Sequence, residues 1–233
     1  MSSVADGAAA LAAIRWQFRQ LGEAALLVEG TPADLLTNRV VLALALALDA
    51  AALPGVERTV PAVSSVLLHF DPLRASHATL ERAVRALLPT VAPLPATPTR
   101  IVEVPVRYGG ADGPDLVEVA DQLGLTAQQV VAMHCAPVYR VLLIGFAPGF
   151  PYIGPLPPGL YLPRRATPRR AVPAGSVAIA VEFSGIYPAA LPGGWHLLGH
   201  TGLRLFDPGH DPPTALLPGD GVRFVPQPDG IMP

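Results

Sequence analysis

At 233 residues the chain has room for one large domain or two small ones, and for burial of roughly 70% of its unfolded surface. Half of it is hydrophobic and only 15% is charged, which excludes disorder as the default, and a net charge of −2 excludes a general nucleic-acid binder. A single cysteine, Cys135, excludes an internal disulfide and a cysteine-rich zinc site; all 16 basic side chains are arginine, so a biotinyl-lysine, a Schiff base and a P-loop lysine are excluded as well.

Residues 1–12 read as a flexible tail, and Asp6 inside an otherwise apolar, non-basic start argues against a signal peptide. Strands are expected at Ile14–Phe18, Ala24–Glu29, Val56–Pro61 and Val63–Phe70. Thr31-Pro32-Ala33-Asp34 opens a helix with Thr31 as N-cap and Pro32 at N1, running to about Ala51. Its apolar run Val40–Leu48 is far shorter than the ~20 residues that span a bilayer, so the expectation is a cytoplasmic protein with no membrane partner. A second helix follows Ser76, with Leu80, Val84, Leu87 and Leu88 on one face. Strands paired with two helices predict a ferredoxin-like α+β layer over residues 13–90.

Residues 1–88 hold 4 of the 28 prolines and 4 of the 22 glycines, and the grammar changes after them. Pro89–Pro98 reads as a semi-rigid joint, placing a linker at 91–99 and a second domain at 100–233. That domain begins with a strand at Ile101–Val106. A helix with Pro114 at N1 follows and ends at Gly124, then another with a Thr126/Gln129 capping box. From Tyr139 onward, short apolar runs alternate with Gly/Pro turns: Tyr139–Phe146, Ser176–Val181, Trp195–Leu198, Leu203–Phe206 and Val222–Val225. This is the pattern of a β-barrel or sandwich.

The second half also carries the most distinctive strings: Gly145-Phe-Ala-Pro-Gly-Phe-Pro-Tyr-Ile-Gly154, Arg165-Ala-Thr-Pro-Arg169, Val172-Pro-Ala-Gly-Ser-Val177, Gly185-Ile-Tyr-Pro188, Pro192-Gly-Gly-Trp195, Leu205-Phe-Asp-Pro208 and Pro218-Gly-Asp220. With Gly22–Glu29, Ser64–Ser65 and Phe70–Pro72 in the first half, the chain resembles the family of 5-oxoprolinase B subunits over about residues 15–227. That family is also called allophanate hydrolase subunit 1 and includes a sporulation-kinase inhibitor. The resemblance implies a ferredoxin-like N-terminal domain and a cyclophilin-like C-terminal barrel. It implies a non-autonomous hydrolase component, inactive alone, that works with a homologous barrel protein, the C subunit, and with a third protein, the A subunit. Together they would open 5-oxoproline to glutamate, with ATP used by the complex and no nucleotide or metal site evident in this chain. Two alternatives travel with it: a module that docks on a sensor histidine kinase and inhibits it, and a subunit of a related amide or urea-derivative hydrolase.

The chain departs from the family pattern in two places. Relatives usually read Ala-Gly-x-Gln-Thr-Gly-Ile-Tyr-Pro where this chain has Ala180-Val181-Glu182-Phe183-Ser184-Gly185, and Gly-Arg-Thr-Pro where it has Gly199-His200-Thr201-Gly202. The losses include a glycine, an amide and an arginine, groups able to admit or hold a polar ligand.

Candidate site residues follow from chemistry and from these motifs. No acidic residue lies between Gln122 and Val181, yet the stretch holds Arg140, Arg164, Arg165, Arg169 and Arg170. Arginine suits two-pronged capture of a carboxylate or phosphate, so a carboxylate substrate, a nucleotide or an acidic partner face would each account for the cluster. Arg165 and Arg169 are the candidates; Arg164 and Arg170 read as solubilising surface. The aromatic loop offers Phe146, Phe150 and Tyr152 as pocket wall or partner surface, with Phe146 expected in the core and Tyr152 near a rim. Tyr187, Trp195 and His200 join them from family motifs, and the groove is expected to be lined by Tyr152, Arg165, Tyr187 and Trp195. Ser176 either presents a hydroxyl to a ligand or ends a turn. His134, at a helix C-terminus, is a possible acid/base, with a charged ring favoured by the helix dipole, or a core hydrogen bond, as the plainer readings. His196 and His200 lie four apart on a strand, about 13 Å, too far to share a metal.

Overall fold

A computed structural model of the chain describes residues 10–227, which divide into two compact units at 96/97. Residues 1–9 of the expected tail lie outside the described part, and residues 10–12 are helical.

In the first unit, β1 (Arg15–Gln20) pairs with β2 (Ala25–Thr31), β2 with β4 (Ser65–Phe70), and β4 with β3 (Val56–Pro61), each antiparallel. Alternation sends Val66, Leu68 and Phe70 to one face of β4 and Leu26 and Val28 to the same face of β2. Two helices cover that face: α1 (Leu35–Ala51), through Val41, Leu44 and Leu48, and α2 (His77–Leu87), through Leu80 and Val84. The α1 cap differs from the sequence expectation. Asp34 is the N-cap and accepts from the Thr37 amide at 2.8 Å, while Thr31 closes β2. A carboxylate at the cap outcompetes a hydroxyl three residues earlier because it also meets the positive end of the helix dipole. The proline-rich stretch is anchored rather than free: the Leu94 amide donates to Arg39 O at 3.2 Å, and the Arg39 guanidinium returns a bond to Leu94 O. No helix among the described residues is long and apolar enough to cross a membrane.

The second unit is built on β5 (Ile101–Tyr108), α3 (Leu116–Leu123), α4 (Ala127–Cys135), β6 (Tyr139–Ile144), β7 (Pro151–Gly154), β8 (Arg169–Val172), β9 (Ser176–Ala180), β10 (Phe183–Ile186), β11 (Leu191–Gly193), β12 (His196–His200) and β13 (Gly221–Pro226). Seven of these strands close a barrel in the order β10-β7-β6-β13-β5-β12-β9, and β9 pairs back onto β10. The β13–β5 pair is parallel, in register from Gly221↔Ile101 to Pro226↔Val106; the other pairs are antiparallel. The barrel fits the cyclophilin-like expectation. Val104, Val106 and Tyr108 alternate into its core with Val141, Ile153, Val177, Ile179, Val222 and Phe224. The Thr126/Gln129 capping box forms as expected, worth about 1 kcal/mol to α4. The expected strand Leu203–Phe206 does not form; Phe206 makes only an isolated bridge to Thr214. Prolines 208, 212 and 213 carry no amide hydrogen, so this loop cannot continue a ladder.

The ribbon of β8 and β11 stands outside the barrel, with Gly193 opposite Arg169. It carries one wall of the candidate site.

Candidate functional site

Phe150, almost fully buried at the entry to β7, is the hub of an aromatic cluster. Phe146, Tyr152, Tyr187 and Trp195 all meet its ring edge-on, with centroids 5.2–5.5 Å away, and Tyr152 meets Trp195 at 5.6 Å. Such pairs contribute about 0.5–1.5 kcal/mol each beyond the area they bury. Gly185, paired with Tyr152 across β10–β7, is what allows the cluster: a Cβ there would sit 2.8 Å from the Phe150 ring and 2.9 Å from the Trp195 ring. The aromatics wall a pocket of about 160 Å³ completed by Pro192, Gly193, Gly194 and Arg164. Burial pushes the Tyr187 hydroxyl pKa up, while a hydrogen bond with the Trp195 backbone and the charges of Arg164 and Arg169 pull it back.

Phe146 is not in the core. It is 61% exposed at the pocket rim, with φ of +69°, a conformation that costs a non-glycine residue roughly 1–2 kcal/mol and that clusters at ligand clamps. The expectation failed because its partner Phe150 takes the interior position on the same loop.

Arg165 and Arg169 are held together, but by protein. The Asp115 side chain, 4% exposed, accepts from Arg165 Nη1 at 3.1 Å and from Arg169 Nη2 at 2.6 Å through Oδ1, and from the Leu197 amide at 2.7 Å through Oδ2. Glu118 adds a second carboxylate to Arg165 at 3.2 Å. Burial alone would push the Asp115 pKa up, but the hydrogen bonds from Arg169 and the Leu197 amide and the two arginine charges outweigh it and leave the pKa lowered. Gly113 makes the approach possible: a Cβ there would lie 1.9 Å from Leu198 O, so only glycine lets the loop before α3 press on β12 and deliver Asp115 to Leu197. Arg165 therefore lines a neighbouring cleft of about 400 Å³, with Glu118, Gln122, Arg164, Thr167 and His196, rather than the aromatic pocket. In that cleft the His196 ring gives its Nε2 hydrogen to Pro163 O at 2.9 Å.

Arg164 lines both the cleft and the aromatic pocket, and its guanidinium has no hydrogen bond or ion pair among the described residues. Sequence reasoning assigned it to solubility. Its place beside Tyr187 and Trp195 corrects the expected groove: Tyr152, Tyr187 and Trp195 come together as anticipated, with Arg164 in the position given to Arg165.

His134 lies elsewhere and is fully buried, stacked on Phe224 at 4.3 Å. Its bonds run in one direction. Ala178 O can only accept, so the Ser184 hydroxyl donates to it at 3.2 Å, and Ser184 Oγ accepts from His134 Nε2 at 3.0 Å. His134 Nδ1 is then the bare nitrogen that accepts from the Tyr108 hydroxyl at 2.7 Å, and Cys135 Sγ donates to Tyr108 at 3.4 Å. Desolvation lowers the His134 pKa to about 3. The ring is neutral, saturated with partners and closed to solvent, so the core hydrogen bond is the expectation that agrees with the structure, and the acid/base role and the dipole-favoured imidazolium do not. Ser184 supplies the one hydroxyl that joins His134 to Ala178 O.

Ser176 and His200 form a third group, directly opposite each other in the β9–β12 pair and apart from the aromatic pocket. Ser176 is buried. His200 Nε2 donates to Ala174 O at 2.9 Å and Nδ1 accepts from Arg107 at 3.3 Å, with Arg107 also paired to Asp112 at 2.8 Å. Val181 takes the first position of the two-residue β9–β10 loop with φ of +55°, the shape that ordinarily selects glycine.

The barrel with its flanking ribbon is that of a carboxyltransferase-type domain: residues 16–216 match the family model described as carboxyltransferase domain, subdomain C and D. Among curated relatives, the 5-oxoprolinase B subunit of Bacillus subtilis (strain 168) is 38% identical over 223 residues, 91% of this chain and 93% of its own. That of Escherichia coli O157:H7 is 57% identical over 133 residues, 57% of this chain and 61% of its own. The crystal structure of TTHA0988 superposes with a TM-score of 0.76 at 43% identity, over 88% of this chain and 40% of that one. The Kluyveromyces lactis urea amidolyase shares the fold at 22% identity, with a TM-score of 0.73 over 91% of this chain and 15% of that one. The chain belongs to the family of 5-oxoprolinase B subunits.

Proposed function

We propose that the chain is the B subunit of an ATP-dependent 5-oxoprolinase. In the cytosol it would work with a homologous barrel protein, the C subunit, and with the A subunit to convert 5-oxo-L-proline, ATP and water to L-glutamate, ADP and phosphate. The observation that carries this is the near end-to-end likeness to the B. subtilis protein of that name. The geometry agrees with a supporting rather than a self-sufficient role. The chain has no lysine, Arg165 and Arg169 are turned onto Asp115, and His134 is sealed in the core. These residues do not fit a triphosphate cradle, so the ATP-dependent step is assigned to the partner surfaces. What this chain offers is an aromatic pocket sized for one small ring.

The first unit belongs to the same reading. Moving β1 to the end of β2-α1-β3-β4-α2 gives the β-α-β-β-α-β order of a ferredoxin-like layer, and the sheet order β1-β2-β4-β3 is consistent with it. No named relative supports the kinase-docking alternative.

The test is to purify a tagged copy gently from its native host and identify what accompanies it. The proposal expects two companion proteins, and glutamate release from 5-oxoproline that requires ATP. An intact complex that hydrolyses no 5-oxoproline would refute it.

A further inference from the structure

The aromatic pocket combines features that together specify a ligand class. Its walls are ring faces and edges from Phe146, Tyr152, Tyr187 and Trp195, and no acidic residue is among its lining. An aromatic box without a carboxylate, with an arginine beside it, disfavours ammonium ligands, which such boxes otherwise attract. Its volume of about 160 Å³ is well below the roughly 300–1,000 Å³ of drug-sized sites, leaving space for a single small ring. The one full charge on its lining is Arg164, whose guanidinium meets no carboxylate among the described residues, whereas Arg165 and Arg169 are spent on Asp115. Gly193 and Gly194 keep the floor bare beside it.

We propose that this pocket binds a small cyclic carboxylic acid, ring against the wall formed by Tyr152 and Trp195 and carboxylate on Arg164, and that Arg164 is the residue that selects acids over neutral rings. This rests on the 5-oxoprolinase reading and deepens it: the lactam acid would be held by its carboxylate here, leaving the ring amide to be presented to the partner proteins. Phe146, at the rim and strained, caps the ring face without reading its charge.

The experiment is calorimetric titration of the full chain, alone and in its assembled complex, with 5-oxo-L-proline and its neutral primary amide, and with pyrrole-2-carboxylate and its amide as a second pair. A charge-assisted pair on Arg164 predicts that each acid binds roughly 10–100-fold more tightly than its amide. Arg164→Gln abolishes that ratio while the amides bind as before, and Arg164→Lys keeps part of it. Phe146→Ala weakens acid and amide alike. An unchanged acid-to-amide ratio in Arg164→Gln, or no acid binding to either chain or complex, overturns the proposal. Dissociation of the complex by Arg164→Gln also overturns it, because the arginine would then face an acidic partner. Wild-type turnover of 5-oxoproline with an unchanged KM in Arg164→Gln removes Arg164 but leaves the 5-oxoprolinase reading standing. Acid selectivity in both probe pairs without any glutamate release from the complex sustains the pocket and removes that reading.

Discussion

Replacing Asp115 with alanine strips one carboxylate from beneath two guanidinium groups and the Leu197 amide. Breaking a buried ion pair by removing one partner costs about 3–5 kcal/mol, because the remaining charge is left unpaired. Arg165 and Arg169 are each about a quarter exposed and can turn partly to water, and Glu118 still holds Arg165, so the cost falls at the lower end, about 3 kcal/mol. For a unit of this size that lowers the melting midpoint by about 10 °C. The assay is thermal unfolding followed by near-ultraviolet circular dichroism, since Trp195 lies two residues from the lost contact. Glu118→Gln is the comparison: its pair is half-exposed, and the expected cost is below about 1 kcal/mol. The sign of the pH effect follows from the lowered Asp115 pKa. Its stabilisation is complete above the unfolded value of about 3.9 and is lost as pH falls through the lower folded value, so the wild-type acid transition is shallower in Asp115→Asn. A melt of Asp115→Ala within about 2 °C of wild type, or no lower than that of Glu118→Gln, would refute the role given to this carboxylate.

Two further substitutions test the local chemistry. Val181→Gly relieves a β-branched residue at φ of +55°; after the entropy cost of the new glycine the barrel should gain about 1 kcal/mol, read as a rise in denaturant midpoint at constant slope, and a fall would show that Val181 is unstrained. Neutral His134, with a folded pKa of about 3, binds its proton only in the unfolded chain between roughly pH 6.5 and 3, so stability should drop by about 1.4 kcal/mol for each pH unit of acidification in that window. Denaturant melts from pH 7 to pH 4 should show this slope in the wild type and not in His134→Asn; the same slope in both would contradict a buried neutral ring.

The parts that sequence made legible are those set by local chemistry. Ser76 and Thr126 cap their helices because a hydroxyl three residues before a matching side chain has few other uses, and Leu80 and Val84 announce the buried face of α2. The strands β7, β8, β10 and β11 went unseen because they span three or four residues each and contain or adjoin glycine and proline, so periodicity never develops. At the site, the aromatics were legible through their density in Gly145–Gly154, yet not which ring faces inward, since Phe146 and Phe150 differ only in the turn between them. Asp115 was missed outright. The available signal was charge balance: an arginine-rich stretch without acids draws carboxylates from elsewhere, and Asp115 and Glu118, just before that stretch, pair with Arg165 and Arg169. Separating Arg164, which no carboxylate among the described residues claims, from Arg165, which two claim, required the side-chain geometry.

The most direct measurement of the central claim is the time course of glutamate release from 5-oxoproline by the two companion proteins with ATP, with and without this chain. The account predicts that omitting the chain reduces release to the ATP-free baseline and that adding it back restores it. Release that proceeds equally well in its absence would contradict the claim that this barrel is part of the enzyme.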